Sequence, residues 1–266
     1  MIYSPKILKM FKTLKFITIF LCFSLWGIGI YGQEKAEKKR KKFIGFESGF
    51  EFMTSDVPDY TFIRGDIDYF GSGSATDYLD CLNREWYVGL KTEIRTKNDK
   101  FGLLTGFRYT RSNSYLSKSA DSDYFYLLNT QDAQATEFLR IKLIDQYSDY
   151  IGIPVEIRYM PFRPRLFRLY VEIGAEFSYL INSDINVDFY NEAMEIYQDD
   201  VINKFTEPST TYTSVYFAIG WNLNWKYKPV INLEAIIPSA FISDYSTGLI
   251  NSIDGIGLQL NVQIPF

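Results

Sequence analysis

The residues with most chemical potential in this chain recur at every second position of extended stretches. Glu47, Glu51, Glu85, Glu93, Glu156, Glu172, Glu176 and Glu234 share strand faces with Lys91, Arg95, Arg108 and Arg158. Paired carboxylates can act as acid and base, but carboxylates interleaved with cations on one face more simply form an ion network. The chain has no His, so a Ser nucleophile would lack its usual base. Its 2 Cys, Cys22 and Cys81, supply no set of nitrogen and sulfur ligands for a transition metal. Short Asp pairs in the polar segments lack the fixed spacing of a calcium loop. The expectation is therefore a structural network, with no catalytic residues, no metal and no cofactor.

The elements that position these charges are strands. Residues 43–53, 85–95, 101–111, 150–160, 168–181, 214–227, 230–239 and 255–266 alternate between an apolar and a polar or Gly-containing face, because successive side chains of a strand point to opposite sides. In the last of them Ile256, Leu258, Leu260, Val262, Ile264 and Phe266 oppose Gly257, Gln259, Asn261, Gln263 and Pro265. The stretch 230–239 fits less well, with Ile231, Leu233 and Ile237 set against Asn232, Glu234 and Pro238. Each segment is about ten residues or more, the length a tilted strand needs to cross a bilayer. The polar face carries Gly beside long charged residues, as a narrow lumen filled with side chains requires. These features predict an all-β fold, an eight-stranded antiparallel up-and-down transmembrane β-barrel. Residues 124–144 contain a further hairpin pattern, which either extends above the membrane or makes ten strands.

The expected organisation is a signal peptide at 1–32, a basic periplasmic tether at 33–42 and an outer-membrane barrel at 43–266. Lys6, Lys9, Lys12 and Lys15 precede an apolar run from Phe16 to Ile30 that is shorter than the roughly 20 residues of a spanning helix. Cleavage near Gly32 leaves Cys81 as the one mature cysteine, so no internal disulfide forms. Aromatic residues make up 18% of the chain, enough to furnish the two interfacial girdles of a barrel. Short turns at 97–100, 161–167 and 226–229 alternate with long polar connections at 54–84, 112–149, 182–213 and 240–252. This pattern places both termini in the periplasm. The long connections are acidic, whereas Lys97, Lys100, Arg163, Arg165, Arg168, Lys226 and Lys228 form a basic periplasmic rim suited to anionic headgroups or an acidic partner. Met194, Tyr197, Val201 and Phe205 recur near helical spacing, predicting a short helix over the barrel mouth.

The stretch Tyr150-Ile-Gly-Ile-Pro-Val-Glu-Ile-Arg-Tyr159, its basic turn and Leu169-Tyr-Val-Glu-Ile-Gly-Ala-Glu-Phe177 resemble the PorT-like outer-membrane β-barrel family of Bacteroidetes. The resemblance implies an OmpA/OmpX-like barrel of eight strands, and named members of that family take part in type IX secretion. A C-terminal strand ending in Phe266 resembles the signal read by the barrel-assembly machinery. The function expected is that of a non-enzymatic outer-membrane component with Glu47, Glu51, Lys91, Glu93, Arg95, Arg108, Glu156, Arg158, Glu172, Glu176 and Glu234 plugging its lumen. Its partners would be lipid, the assembly machinery and a periplasmic or cell-surface protein, with no nucleic acid; a narrow porin-like channel or small-ligand carrier is the alternative.

Overall fold

A computed structural model of the chain describes residues 41–64, 79–118, 123–132, 135–162, 167–224 and 229–266. The expected leader and most of the tether, residues 1–40, lie outside the described residues. The strands are β1 (Lys42–Asp56), β2 (Ile63–Arg64), β3 (Leu79–Arg95), β4 (Phe101–Lys118), β5 (Phe125–Asp132), β6 (Ala135–Tyr159), β7 (Phe167–Phe189), β8 (Thr211–Asn224), β9 (Val230–Ser246) and β10 (Asn251–Pro265). Eight of them, all except β2 and β5, close an antiparallel ring in which β6 meets β7 and β10 meets β1. The protein is an eight-stranded, up-and-down transmembrane β-barrel. No helix among the described residues is long and apolar enough to cross a membrane.

The hairpin expected within 124–144 stands off the ring. β5 pairs with the first residues of β6, Phe125 opposite Ile141, and β2 adds to the outer edge of β5. From Leu143 onward β6 has β4 on one side and β7 on the other, with Leu143 facing both Ser117 and Asp188. Insertion of β5 into the ring would break one of those ladders, so a ten-stranded barrel does not form.

The alternation read from the sequence sets the two faces. Phe46, Leu90, Phe107, Ile153, Phe177, Trp221 and Leu258 are exposed on the outer surface, while Glu47, Lys91, Arg108 and Gln259 one position away are buried inside. The irregular stretch in β9 contains a bulge. Tyr216 faces Ser239 and Ala218 faces Ile236, so Ile237 and Pro238 together oppose one residue of β8. Both face outward, which corrects the placement of Pro238 on the polar face. Proline has no N–H to give to a ladder, and a bulge is where a barrel strand tolerates it.

The strands run far beyond the stretches whose outer face is apolar. β6 has 25 residues and β7 has 23. At about 3.3 Å per residue, β6 is roughly 80 Å long, more than a tilted strand needs for a hydrocarbon core of about 30 Å. Much of what reads as long loops at 112–149, 182–213 and 240–252 is therefore strand. In the upper part of β7 the polarity inverts: Asn182, Asp184, Asn186 and Asp188 are exposed, whereas Val187 and Phe189 are buried. Water outside and an apolar interior replace lipid outside and a polar interior.

Registration also explains the lumen glycines. Gly49 lies opposite Tyr87, Gly174 opposite Tyr216 and Gly220 opposite Tyr170. A Cβ at Gly220 would come within 2.3 Å of the Tyr170 ring. Each ring thus lies flat over a neighbouring strand that offers no side chain.

Candidate functional site

The interior is filled in layers. At the short-turn end, Arg95 donates to Glu93 at 2.6 and 3.0 Å and lies over the Phe43 ring at 4.1 Å. Arg158 then draws together three strands: its guanidinium reaches Glu172 at 2.7 Å, Glu234 at 2.8 Å and Glu93 at 3.2 Å. Lys91 bridges Glu47 and Glu156, both at 2.6 Å. Arg108 grips Glu47 through two 3.0 Å hydrogen bonds and reaches past β6 to Glu176 on β7 at 2.5 Å. An isolated buried charge is strongly unfavourable, and here each of these cations has at least one carboxylate partner.

Neutral groups complete the network. Tyr170 donates to Glu234 at 2.6 Å, and Tyr216 donates to Glu156. Tyr87 and Arg108 both donate to Gln259 Oε1, whose amide nitrogen donates in turn to Glu234 at 2.6 Å. Arg108 and Arg158 also stack over Tyr87 and Tyr170, at 4.2 and 4.3 Å. A planar guanidinium can bond at its edge and stack on its face at once. The C-terminal strand thereby supplies a joint of the network as well as closing the ring.

Glu51 is inward and buried as expected, but it belongs to no ion pair among the described residues. It faces Glu85 directly across β1 and β3. Among the described residues Glu51 Oε2, Glu85 Oε1 and Thr110 Oγ1 find no hydrogen-bond partner, and their side chains line a cavity of about 10 Å³, room for a single water molecule. The reach of Arg108 explains the omission, since its fork is occupied by Glu47 and Glu176. Above the cavity, Tyr150, Tyr212 and Tyr245 pack ring on ring, at centroid distances of 4.6 to 5.9 Å.

An apolar cap covers the long-loop end. Leu116, Phe125, Leu127, Ile141, Ile144 and Val187 form one core with Ile63, Val201, Phe205, Leu249 and Ile250. The expected short helix lies here: a 3-10 turn, Glu192–Tyr197, runs into α1, Gln198–Ile202. Asn191 starts it by accepting the Ala193 N–H at 3.1 Å. Val201 and Phe205 are buried in the cap, and Met194 and Tyr197 pack against it. The Tyr60 hydroxyl donates to the carbonyls of Gly248 and Leu249 at 3.1 and 2.7 Å, tying the first long connection to the β9–β10 turn. Burial raises the Tyr60 phenol pKa, so it stays a donor. Cys81 packs at the cap's edge and donates to the Ser55 carbonyl at 3.2 Å.

At the opposite end Lys97 and Lys100 are exposed, whereas Arg168 is not a rim residue. Its guanidinium turns inward and donates to the Asp99 carbonyl at 2.5 Å, beneath the layer of Arg95. The inner-face position of residue 168 on β7 decides this. Arg163, Arg165, Lys226 and Lys228 lie outside the described residues. Phe266 is exposed and its N–H donates to the Lys42 carbonyl at 3.0 Å, completing the β1–β10 seam.

Tyr87, Tyr170 and Tyr216 have no counterpart among the expected lumen residues; the Gly opposite each is set by strand register, which local sequence does not carry. The apolar cap went unread because its residues are scattered over four connections.

Fold and interior define a closed transmembrane barrel with a filled lumen. No family model matches the chain, and no curated protein sequence matches it. Among solved structures it is similar to the outer membrane protein OprG of Pseudomonas aeruginosa, with 12% identity, 85% of this chain and 95% of that one covered, and a TM-score of 0.42. It is similar also to Ail, the attachment invasion locus protein of Yersinia pestis, with 13% identity, coverages of 85% and 99%, and a TM-score of 0.35. A third is the outer membrane protease OmpT of Escherichia coli, with 9% identity, coverages of 88% and 99%, and a TM-score of 0.32. At these levels neither the activities nor the ligands of those proteins transfer to this chain.

Proposed function

We propose that this chain is a non-enzymatic integral protein of the outer membrane whose lumen is plugged and whose work is done at its two ends, as a structural or assembly component. The observation that carries the reading is the continuous filling of the interior by ion network, tyrosine cluster and apolar cap. Both chain ends of the barrel lie on the short-turn side, where β1 begins and β10 finishes. That side faces the periplasm in this reading, with Lys97 and Lys100 turned toward headgroups or an acidic partner. The acidic long-loop end faces outward. The PorT-like resemblance of residues 150–177 favours the type IX secretion apparatus as the partner. The C-terminal strand, ending in Phe266, would engage the assembly machinery before it seals against β1.

The test is single-channel conductance of the refolded mature protein in a planar bilayer, after heat-modifiable mobility on a gel establishes the barrel. Silence over a range of voltages is the expected result. Steady, ion-selective openings would replace this reading with that of a narrow channel.

A further inference from the structure

Outside the ring, the β5–β6 hairpin and the residue that follows β7 carry aromatic side chains that lipid contact does not explain. Phe138, Tyr126, Tyr124 and Tyr190 form a ladder of neighbouring rings, with centroids 6.2, 5.4 and 4.7 Å apart in turn. Phe138 and Tyr190 are exposed, yet they sit beyond the apolar belt, on the part of the sheet whose outer face is polar. Two cations accompany the rings: Arg140 lies 5.2 Å over Tyr124, and Lys142 lies 6.0 Å over Tyr190.

Beside Tyr190 is an open depression of about 400 Å³ lined by Arg140, Tyr190, Asn191, Glu192 and Met194. Its polar groups are of complementary kinds. Among the described residues no acceptor bonds the Arg140 guanidinium; its face stacks on Tyr124, and a guanidinium stacked on its face can still form a two-pronged contact at its edge. Asn191 uses its side-chain oxygen on Ala193 N–H and keeps its amide nitrogen as a donor. Glu192 is exposed and supplies an acceptor. A ring face bordered by a guanidinium, an amide donor and a carboxylate acceptor suits a flat polyhydroxylated ring that itself bears an acid.

We propose that this depression binds a saccharide through a uronic acid unit. The carboxylate meets the Arg140 fork, the sugar ring lies against Tyr190, and its hydroxyls donate to Glu192. The encounter of this site with saccharide outside the cell rests on the orientation given under Proposed function, but binding by detergent-solubilised protein does not, so the two readings fail separately.

The experiment is calorimetric titration of the refolded mature chain with glucuronic acid and with glucose, over the millimolar range. Glucuronate is expected to bind at least tenfold more tightly than glucose. Arg140→Ala should bring glucuronate down to the level of glucose, Arg140→Lys should recover only part of the difference, and Tyr190→Ala should weaken both sugars. Heat-modifiable mobility reports whether each variant has folded. Absence of glucuronate binding, equal binding of the two sugars, or an Arg140→Ala protein that binds like the parent would overturn the proposal.

Discussion

Replacing Arg158 by Met separates a dry, cross-linked lumen from a hydrated one. Arg158 is completely buried and is the common partner of Glu93, Glu172 and Glu234. After its removal Glu93 keeps Arg95, and Glu234 keeps Tyr170 and Gln259. Among the described residues Glu172 keeps no cation within ion-pair distance. Met fills much of the vacated volume, so the loss is mainly that of one uncompensated buried carboxylate, about 3–5 kcal/mol. Reversible urea unfolding of the protein in vesicles, followed by Trp fluorescence, reads this as a lower midpoint. With a slope of about 1–3 kcal/mol per molar urea, the shift exceeds about 1 M. Arg158→Met combined with Glu172→Gln should regain part of the loss, because the stranded charge is gone. In a water-filled lumen the pair would behave like a surface ion pair worth about 0–1 kcal/mol. A single variant whose midpoint matches that of the parent would therefore refute the plugged interior.

Two further outcomes follow from particular residues. Glu85→Gln removes one of two carboxylates that face each other without a cation, so the urea midpoint should stay constant or rise by up to about 1 kcal/mol of stability; a clear loss would mean that the pair holds something the structure does not show. For Cys81, burial first, and then the nearby Asp56 and Asp80, raise the thiol pKa above its ordinary value of 9.0. The thiolate is the reactive form, so near neutral pH maleimide labelling of the folded protein should be slow, speeding up as pH rises and on unfolding. Rapid labelling of the folded protein at pH 7 would contradict the packing of the cap.

What the sequence by itself determined is the barrel wall. A period of two, with an apolar side and a side of Glu, Arg and Gly, leaves each strand one way to face lipid, and a one-residue slip would turn the whole set around. That constraint fixed the eight ring strands and the inward direction of Glu47, Lys91, Arg108, Glu156, Arg158, Glu172 and Glu234. It did not pair them, because Arg108 and Glu176 are 68 residues apart and meet only because β4 and β7 flank β6 in a particular register. The same dependence left Glu51 without a cation, turned Arg168 inward and seated Tyr170 over Gly220. Above the membrane the local signal changed sign, since water outside demands a polar outer face and an apolar interior. The upper strands therefore read as loops, and their common core could arise only when Tyr60, Val201, Leu249 and β5 were brought together by tertiary structure.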